Sequence, residues 1–208
     1  MQNNHQITLS NGTEKAKTYL SLNFYENQGT QIHTMFRRYT LRFNSEYKLI
    51  NDRLTIGENL SLANIKLNNQ NHSHSFLTMP PIVPVYTVDG GWGGTAMELG
   101  MDDYNNPVRM LTMGKDNYNF FNKVVGNLYP NVKILKNLNF KTSYGMDFTA
   151  GHYRHIDFTW EEGGGKRDIV NGVTQNRHQV NTAVWTNTLN YNLETGKLAI
   201  GITTVLGI

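Results

Sequence analysis

"FRRYTLRFNSEYKLINDRLTIGENLSLA", Phe36 to Ala63, carries the period that decides the fold. Tyr39, Leu41, Phe43, Tyr47 and Leu49 alternate with Thr40, Arg42, Asn44, Glu46 and Lys48; beyond Asn51-Asp52, Leu54, Ile56, Leu60 and Leu62 alternate with Thr55, Gly57, Asn59 and Ser61. Side chains two apart share one face of a strand, so the stretch predicts two strands joined by a tight turn, each with an apolar and a polar face. Glu58 interrupts the apolar row. If that row meets lipid, the charge predicts either a bulge or a position near the headgroups, because its cost grows with depth.

The same period recurs in Thr18–Tyr25 and Leu138–Phe148, and more weakly in Gln6–Ser10, Phe120–Ile134, Val180–Tyr191 and Leu198–Leu206. Together these segments predict an all-β antiparallel meander of about eight strands with no convincing helix. Several approach the roughly 9 to 11 residues that a tilted strand needs to cross a bilayer, against about 5 to 6 for soluble strands. A soluble β-sandwich or lipocalin-like binding module gives the same alternation with its polar face in water, so period alone leaves both architectures open.

The connections discriminate better. Asn11-Gly12 predicts a tight hairpin turn, Asn51-Asp52 and Lys136-Asn137 predict two more, and Asn192–Lys197 a fourth. Between them lie a longer link at Glu26–Thr34 and two extended loops, residues about 66–119 and 150–175. Short and long links therefore alternate, which puts all tight turns at one end of the sheet, as in transmembrane β-barrels with short periplasmic turns and long extracellular loops. The first long loop contains "TMPPIVPVYTVDGGWGG", Thr78 to Gly94, whose prolines lack a backbone N–H and cannot sit in a central strand. It reads as irregular backbone away from lipid, with a turn at Asp89-Gly90 and a bend at Asn106-Pro107.

Composition excludes several classes. The net charge of +3 with scattered Lys and Arg gives no nucleic-acid footprint, and the absence of cysteine excludes a disulfide framework and thiolate chemistry. Charged residues make up only 17% of the chain, against about 25% for soluble proteins. Met1–His5 lacks the basic-then-apolar pattern of a signal peptide, and no stretch has the roughly 18 apolar residues of a spanning helix.

The chemistry-bearing residues point to no enzyme. His72 and His74, with His152, His155 and His178, could border a loop metal site, but matched carboxylates or cysteines are lacking, and hydrated histidines are the simpler reading. Asp102-Asp103 and Glu161-Glu162 could pair as glycosidase carboxylates, although adjacent loop acids are usually solvated. Gly90–Gly94 and Gly163–Lys166 lack phosphate-loop spacing. No catalytic residue, metal or cofactor is expected. Tyr86, Trp92, Tyr104 and Trp160, with Pro81 and Pro84, are candidate ligand or partner contacts, although aromatics such as Trp92, Tyr104 and Trp160 more often pack within their own loops or sit at the bilayer interface.

The chain resembles an internal piece of the barrel of SusC/RagA-type TonB-linked outer-membrane transporters. The carriers are Ile7–Thr30, Phe36–Ala63, "MPPIVPVYTVDG" (Met79–Gly90), "NPVRML" (Asn106–Leu111), "NLYPNVKILKNLNFKTSYGMDF" (Asn127–Phe148) and "NTLNYN" (Asn187–Asn192), in the family's order. The resemblance implies that residues 1–208 are part of a barrel of about 22 strands, without the plug, the TonB-contacting segment or the signal. A piece of this kind is expected to be inactive alone. It would sit in a Gram-negative outer membrane, facing lipid with its apolar rows and the lumen with Arg42, Glu46, Lys48, Lys141 and Asp147. The implied partners are a SusD-like surface lipoprotein, with the Pro-rich loop as its contact, and the TonB-ExbB-ExbD complex; the implied cargo is oligosaccharides or peptides. A free-standing small outer-membrane barrel is the alternative membrane reading, and it requires the last strand to close on the first.

Overall fold

In the computed structural model, which describes residues 1–195 and 198–207, the alternating segments form one open antiparallel sheet. Its strands are β1 (Gln2–Gly12), β2 (Ala16–Gln28), β3 (Met35–Leu49), β4 (Leu54–Asn68), β5 (Tyr118–Leu135), β6 (Leu138–Asp157), β9 (Gly172–Thr195) and β10 (Leu198–Gly207). Each pairs with its neighbour in chain order, and a separate ribbon joins β7 (Trp160–Glu162) to β8 (Lys166–Asp168). β1 and β10 do not pair, so the sheet is not closed.

Register carries the period across the sheet. Ile7 lies opposite Leu22, Leu22 opposite Leu41, Leu41 opposite Leu62, Leu62 opposite Val124 and Val124 opposite Phe148. One face is therefore a continuous apolar band, and it is uncovered: Ile7 is 67% exposed, Leu9 63% and Leu22 51%. Among the described residues, the fully buried apolar side chain is Leu111, which belongs to a loop. A soluble sandwich would bury this band against a second layer. The surface of 14250 Å² compares with about 9,800 Å² expected of a folded soluble monomer of this mass, so the layer that would cover the band is not part of this chain.

The strands run farther than the alternation does. β5 has 18 residues, β6 has 20 and β9 has 24, well beyond the roughly 9 to 11 needed to cross a bilayer. The additional length lies toward the long loops, where the sequence becomes polar and loses its period. The loops consequently span residues 69–117 and 158–171, within the wider limits of 66–119 and 150–175 read from the sequence.

Three local expectations are corrected. Asn11 and Gly12 stay in the ladder opposite Thr18 and Lys17. The turn falls instead at residues 13–15, closed by the Thr13 N–H on the Ala16 carbonyl at 2.7 Å and by the Ala16 N–H on Thr13 Oγ1 at 3.0 Å. Helices are present: α1 (Ser73–Thr78) and α2 (Pro107–Met113), both in the first long loop. Asn106-Pro107 is the start of α2 rather than a bend, with Asn106 Oδ1 accepting from the backbone N–H groups of Val108 and Arg109 and proline at the first turn. The turns at residues 50–53 and 136–137 are where the sequence puts them, whereas Gly196 and Lys197 of the fourth lie outside the described residues.

Glu58 sits in unbroken register opposite Ser45 and Leu128, so the strand is not bulged there. Its Oε1 accepts the Ser45 hydroxyl at 2.7 Å. The polar atom on the apolar face is thereby partnered across the strand pair.

Candidate functional site

The two long loops dock on each other at the end of the sheet away from the tight turns, and one buried ion pair organises them. Arg109, on α2, and Glu162, on β7, have side chains 6% and 0% exposed and are bonded through Arg109 Nε and Glu162 Oε1. The same Glu162 oxygen accepts the Asn106 backbone N–H at 2.9 Å. The Arg109 guanidinium lies 3.6 Å from the centre of the Trp160 ring, a desolvated cation–π contact. Lys166 approaches Glu162 Oε2 at 3.5 Å and Asp103 at 3.2 Å, and donates to the Tyr104 carbonyl.

Asn106 ties the Pro-rich segment into this cluster. Its Nδ2 donates to the carbonyls of Val85 at 2.8 Å and Gly93 at 2.9 Å. Glycines allow the close approach: a Cβ on Gly93 would collide with the Pro84 carbonyl, and one on Gly94 with the Gly163 carbonyl. Asp89-Gly90 forms the expected turn, with the Gly90 N–H on the Thr87 carbonyl at 3.0 Å and Gly90 at φ 86°. Irregular, proline-containing backbone is thus held by side-chain and loop–loop hydrogen bonds in place of a ladder.

The aromatics named from the sequence lie in these two loops, and the Arg109–Glu162 pair beside them was not foreseen. Tyr86 packs on Trp92 with ring centres 5.1 Å apart, and Trp92 makes a backbone bridge to Glu162. Trp160 is covered by Arg109, and the Tyr104 hydroxyl donates to Asp102 at 3.1 Å. Pro81 and Pro84 are exposed on the outer side of the loop. Glu161 is exposed while Glu162 is buried, so these neighbours do not act as a facing carboxylate pair. The helix-start signal in Asn106-Pro107, three residues before Arg109, was the one available pointer to the cluster.

Beneath the loops lies a cavity of about 350 Å³ bordered by His72, Arg109, Trp160, His155, Asp157 and Asp168. His155 Nε2 is 2.9 Å from Asp157 Oδ1. Burial and, secondarily, the charge of Arg109 hold the His72 pKa below its ordinary 6.5. The other histidines are dispersed: His152 packs edge-on against Tyr118 on the apolar face, and His178 lies over Gly151 on the opposite face.

That opposite face is polar and cross-linked. By register, Arg42, Glu46, Lys48, Lys141 and Asp147 all lie on it. Tyr129 crosses over Gly57, which leaves room for its ring. The Tyr129 hydroxyl donates to Glu46 at 3.3 Å, and Lys141 stands 4.3 Å from the ring centre. Lys123 pairs with Asp147 at 3.2 Å. A sheet with an uncovered apolar face, a polar face carrying an ion pair and docked loops at one end is the arrangement of a transmembrane β-barrel wall.

The fold is that of a RagA-type barrel segment. Structures of the RagAB peptide importer superpose on 99% of this chain at 19% identity, with TM-scores of 0.76 in the closed-closed state and 0.78 in the open-open state. The ferric-catecholate import receptor Fiu from E. coli K12 superposes on 99% of the chain with a TM-score of 0.56 at 12% identity. The TonB-dependent receptor P26 of Formosa agariphila is 23% identical over 198 residues, 93% of this chain. The chain spans 19% of that receptor and 24% of the closed-closed RagAB chain it matches. No family model matches. The likeness to these barrels runs through the eight-stranded sheet and its docked loops together.

Two consequences are measurable. Glu162→Ala leaves Arg109 buried without its partner, a loss of about 3–5 kcal/mol. Hydrogen exchange in the two docked loops should accelerate by about a hundredfold or more while the sheet stays protected; unchanged loop protection would show that the pair does not hold the loops. The depressed His72 pKa has the opposite sign from a stabilising charge. The docked loop prefers the neutral ring, so its contribution is complete above 6.5 and declines as pH falls through that value. Limited proteolysis of the loops should increase from pH 7.5 to about 5.5, and His72→Gln should flatten the response.

Proposed function

We propose that this chain forms part of the wall of a Gram-negative outer-membrane importer, with the apolar face toward lipid and the face bearing Arg42, Glu46, Lys48, Lys141 and Asp147 toward a wet lumen. The observation that carries the reading is the uncovered apolar band opposite a cross-linked polar face on strands of up to 24 residues. A soluble module leaves that band unexplained, whereas a bilayer covers it. The open edges at β1 and β10 would be paired by neighbouring strands of a larger barrel, which removes the hazard of free edges.

The imported cargo would be oligosaccharides or peptides; the likeness to a peptide importer supports the second of these. Energy would come from TonB-ExbB-ExbD through parts beyond this chain. A SusD-like surface lipoprotein would act as the external lid. The Pro-rich loop is suited to that contact: Ile82 is 76% exposed, Val88 is fully exposed, and Pro81, Pro84 and Tyr86 lie beside them. Apolar side chains on a loop pinned by Asn106 form a pre-organised surface, so little ordering cost is added on binding. Trp92 packs against Tyr86 of this surface, and Tyr104 and Trp160 are further candidate contacts in the neighbouring loop segments.

Deleting Thr78–Gly94 from the full-length polypeptide should reduce co-purification of the surface lipoprotein at least tenfold while leaving outer-membrane insertion intact. Undiminished co-purification would overturn the assignment of this loop to the lid.

A further inference from the structure

On the apolar face, the band through Leu41, Leu62, Val124 and Phe148 gives way, toward the long-loop end, to a row of different character. Cross-strand pairing runs from Glu26 to Arg37, Lys66, Phe120, His152 and Arg177. One step farther, Tyr118 lies opposite Arg154. Lys66 Nζ stands 4.8 Å from the Tyr118 ring centre and the Arg154 guanidinium carbon 5.6 Å from it. His152 meets the same ring edge-on at 6.0 Å, and its Nε2 is buried without a hydrogen-bond partner.

The charges on this row do not balance. Glu26 is taken by Arg37 at 2.6 Å. Among the described residues, no carboxylate lies within ion-pair distance of Lys66, Arg154 or Arg177. The same strands do pair a lysine on the polar face, where Lys123 meets Asp147. Uncompensated cations therefore collect where the apolar band ends, around one aromatic ring. An anion with an apolar body attached would satisfy both parts of this surface at once.

We propose that Lys66 and Arg154, on either side of Tyr118, bind the phosphorylated headgroup of a membrane lipid whose acyl chains lie along the band below. The proposal rests on the reading of this face as lipid-facing. Arg37 and Arg177 flank the headgroup position on the same cross-strand row. Phosphate attraction to clustered Lys and Arg beside a bilayer is additive over the cations. Two or three partly exposed cations hold a free phosphate ion only weakly, so the apolar contact below is what selects a lipid over the free ion. Tyr118 suits the boundary, with an amphipathic ring at headgroup level.

The test uses the full-length polypeptide that carries this segment, extracted in neutral detergent and examined by native mass spectrometry. The probes are diphosphorylated lipid A, its dephosphorylated form and inorganic phosphate. The expected result is an adduct of the diphosphorylated lipid that weakens at least tenfold in Lys66→Ala/Arg154→Ala and persists in Lys66→Arg/Arg154→Lys. Retained heat-modifiable gel migration would show that both variants are folded. Equal binding of the dephosphorylated lipid, displacement by inorganic phosphate at the same concentration, or undiminished binding to the folded alanine variant would each overturn the site. If the polypeptide stays dispersed without detergent, the lipid-facing reading fails and the site with it. If it needs detergent yet binds no phosphorylated lipid, the site alone is lost.

Discussion

The period-two separation of apolar from polar side chains, held in register over eight strands, is the constraint on which the rest of the structure depends. A slip of one residue in any pair would put Arg42 or Lys141 in the apolar band and Leu41 or Phe140 on the polar face. Such a slip exchanges the solvents of every side chain on the strand, so register is strongly specified once one face is committed to hydrocarbon. Cross-strand amide pairs stand on both faces: Asn59 bonds Asn127 at 2.9 Å on the polar face, Asn64 bonds Asn122 at 2.8 Å within the apolar band, and on the polar face Tyr129 spans Glu46 and Lys141. The asparagine-rich composition thereby becomes intelligible, since short amides satisfy each other across strands without adding charge.

With the faces fixed, the loops have a platform. The sheet's polar end contributes His155 and Asp157 to the cavity that Arg109, Trp160 and His72 close from the loop side. The Arg109–Glu162 pair is costly to bury unless every remaining polar group nearby is met. The Asn106 N–H meets Glu162 Oε1 and Trp160 covers Arg109, while Glu162 Oε2 is buried without a hydrogen bond and has the Lys166 ammonium 3.5 Å away. The result is a Pro-rich segment whose backbone is fixed from within and whose apolar side chains, Ile82 and Val88 among them, face outward. Rigid support behind an exposed apolar surface suits recognition of a partner.

Strands and faces were legible in the sequence because period two is a local property. Leu41 and Arg42 announce their opposite faces without reference to anything distant. The limits of β6 and β9 were not legible, because Gly151–Asp157 and Gly172–Gln179 stand beyond the apolar band and carry mostly polar residues on both faces. The first turn was misplaced for a related reason: Asn11-Gly12 has turn chemistry, yet ladder pairing continues to Lys17 and the closure passes to Thr13. The loop cluster lay farthest from view. Arg109 and Glu162 are 53 residues apart, and nothing in either local context announces the other.

The central claim, that one face meets lipid and the other water, is tested most directly by single cysteines introduced into this segment, which has none of its own, in the native membrane and with any cysteine elsewhere in the polypeptide replaced. Spin labels placed in turn at Leu41, Arg42, Phe43 and Asn44 would report accessibility to dissolved oxygen and to a water-soluble nickel complex. The account requires oxygen accessibility to dominate at 41 and 43 and nickel accessibility at 42 and 44. Uniform nickel accessibility at all four positions, or a lipid signal without the alternation, would contradict it.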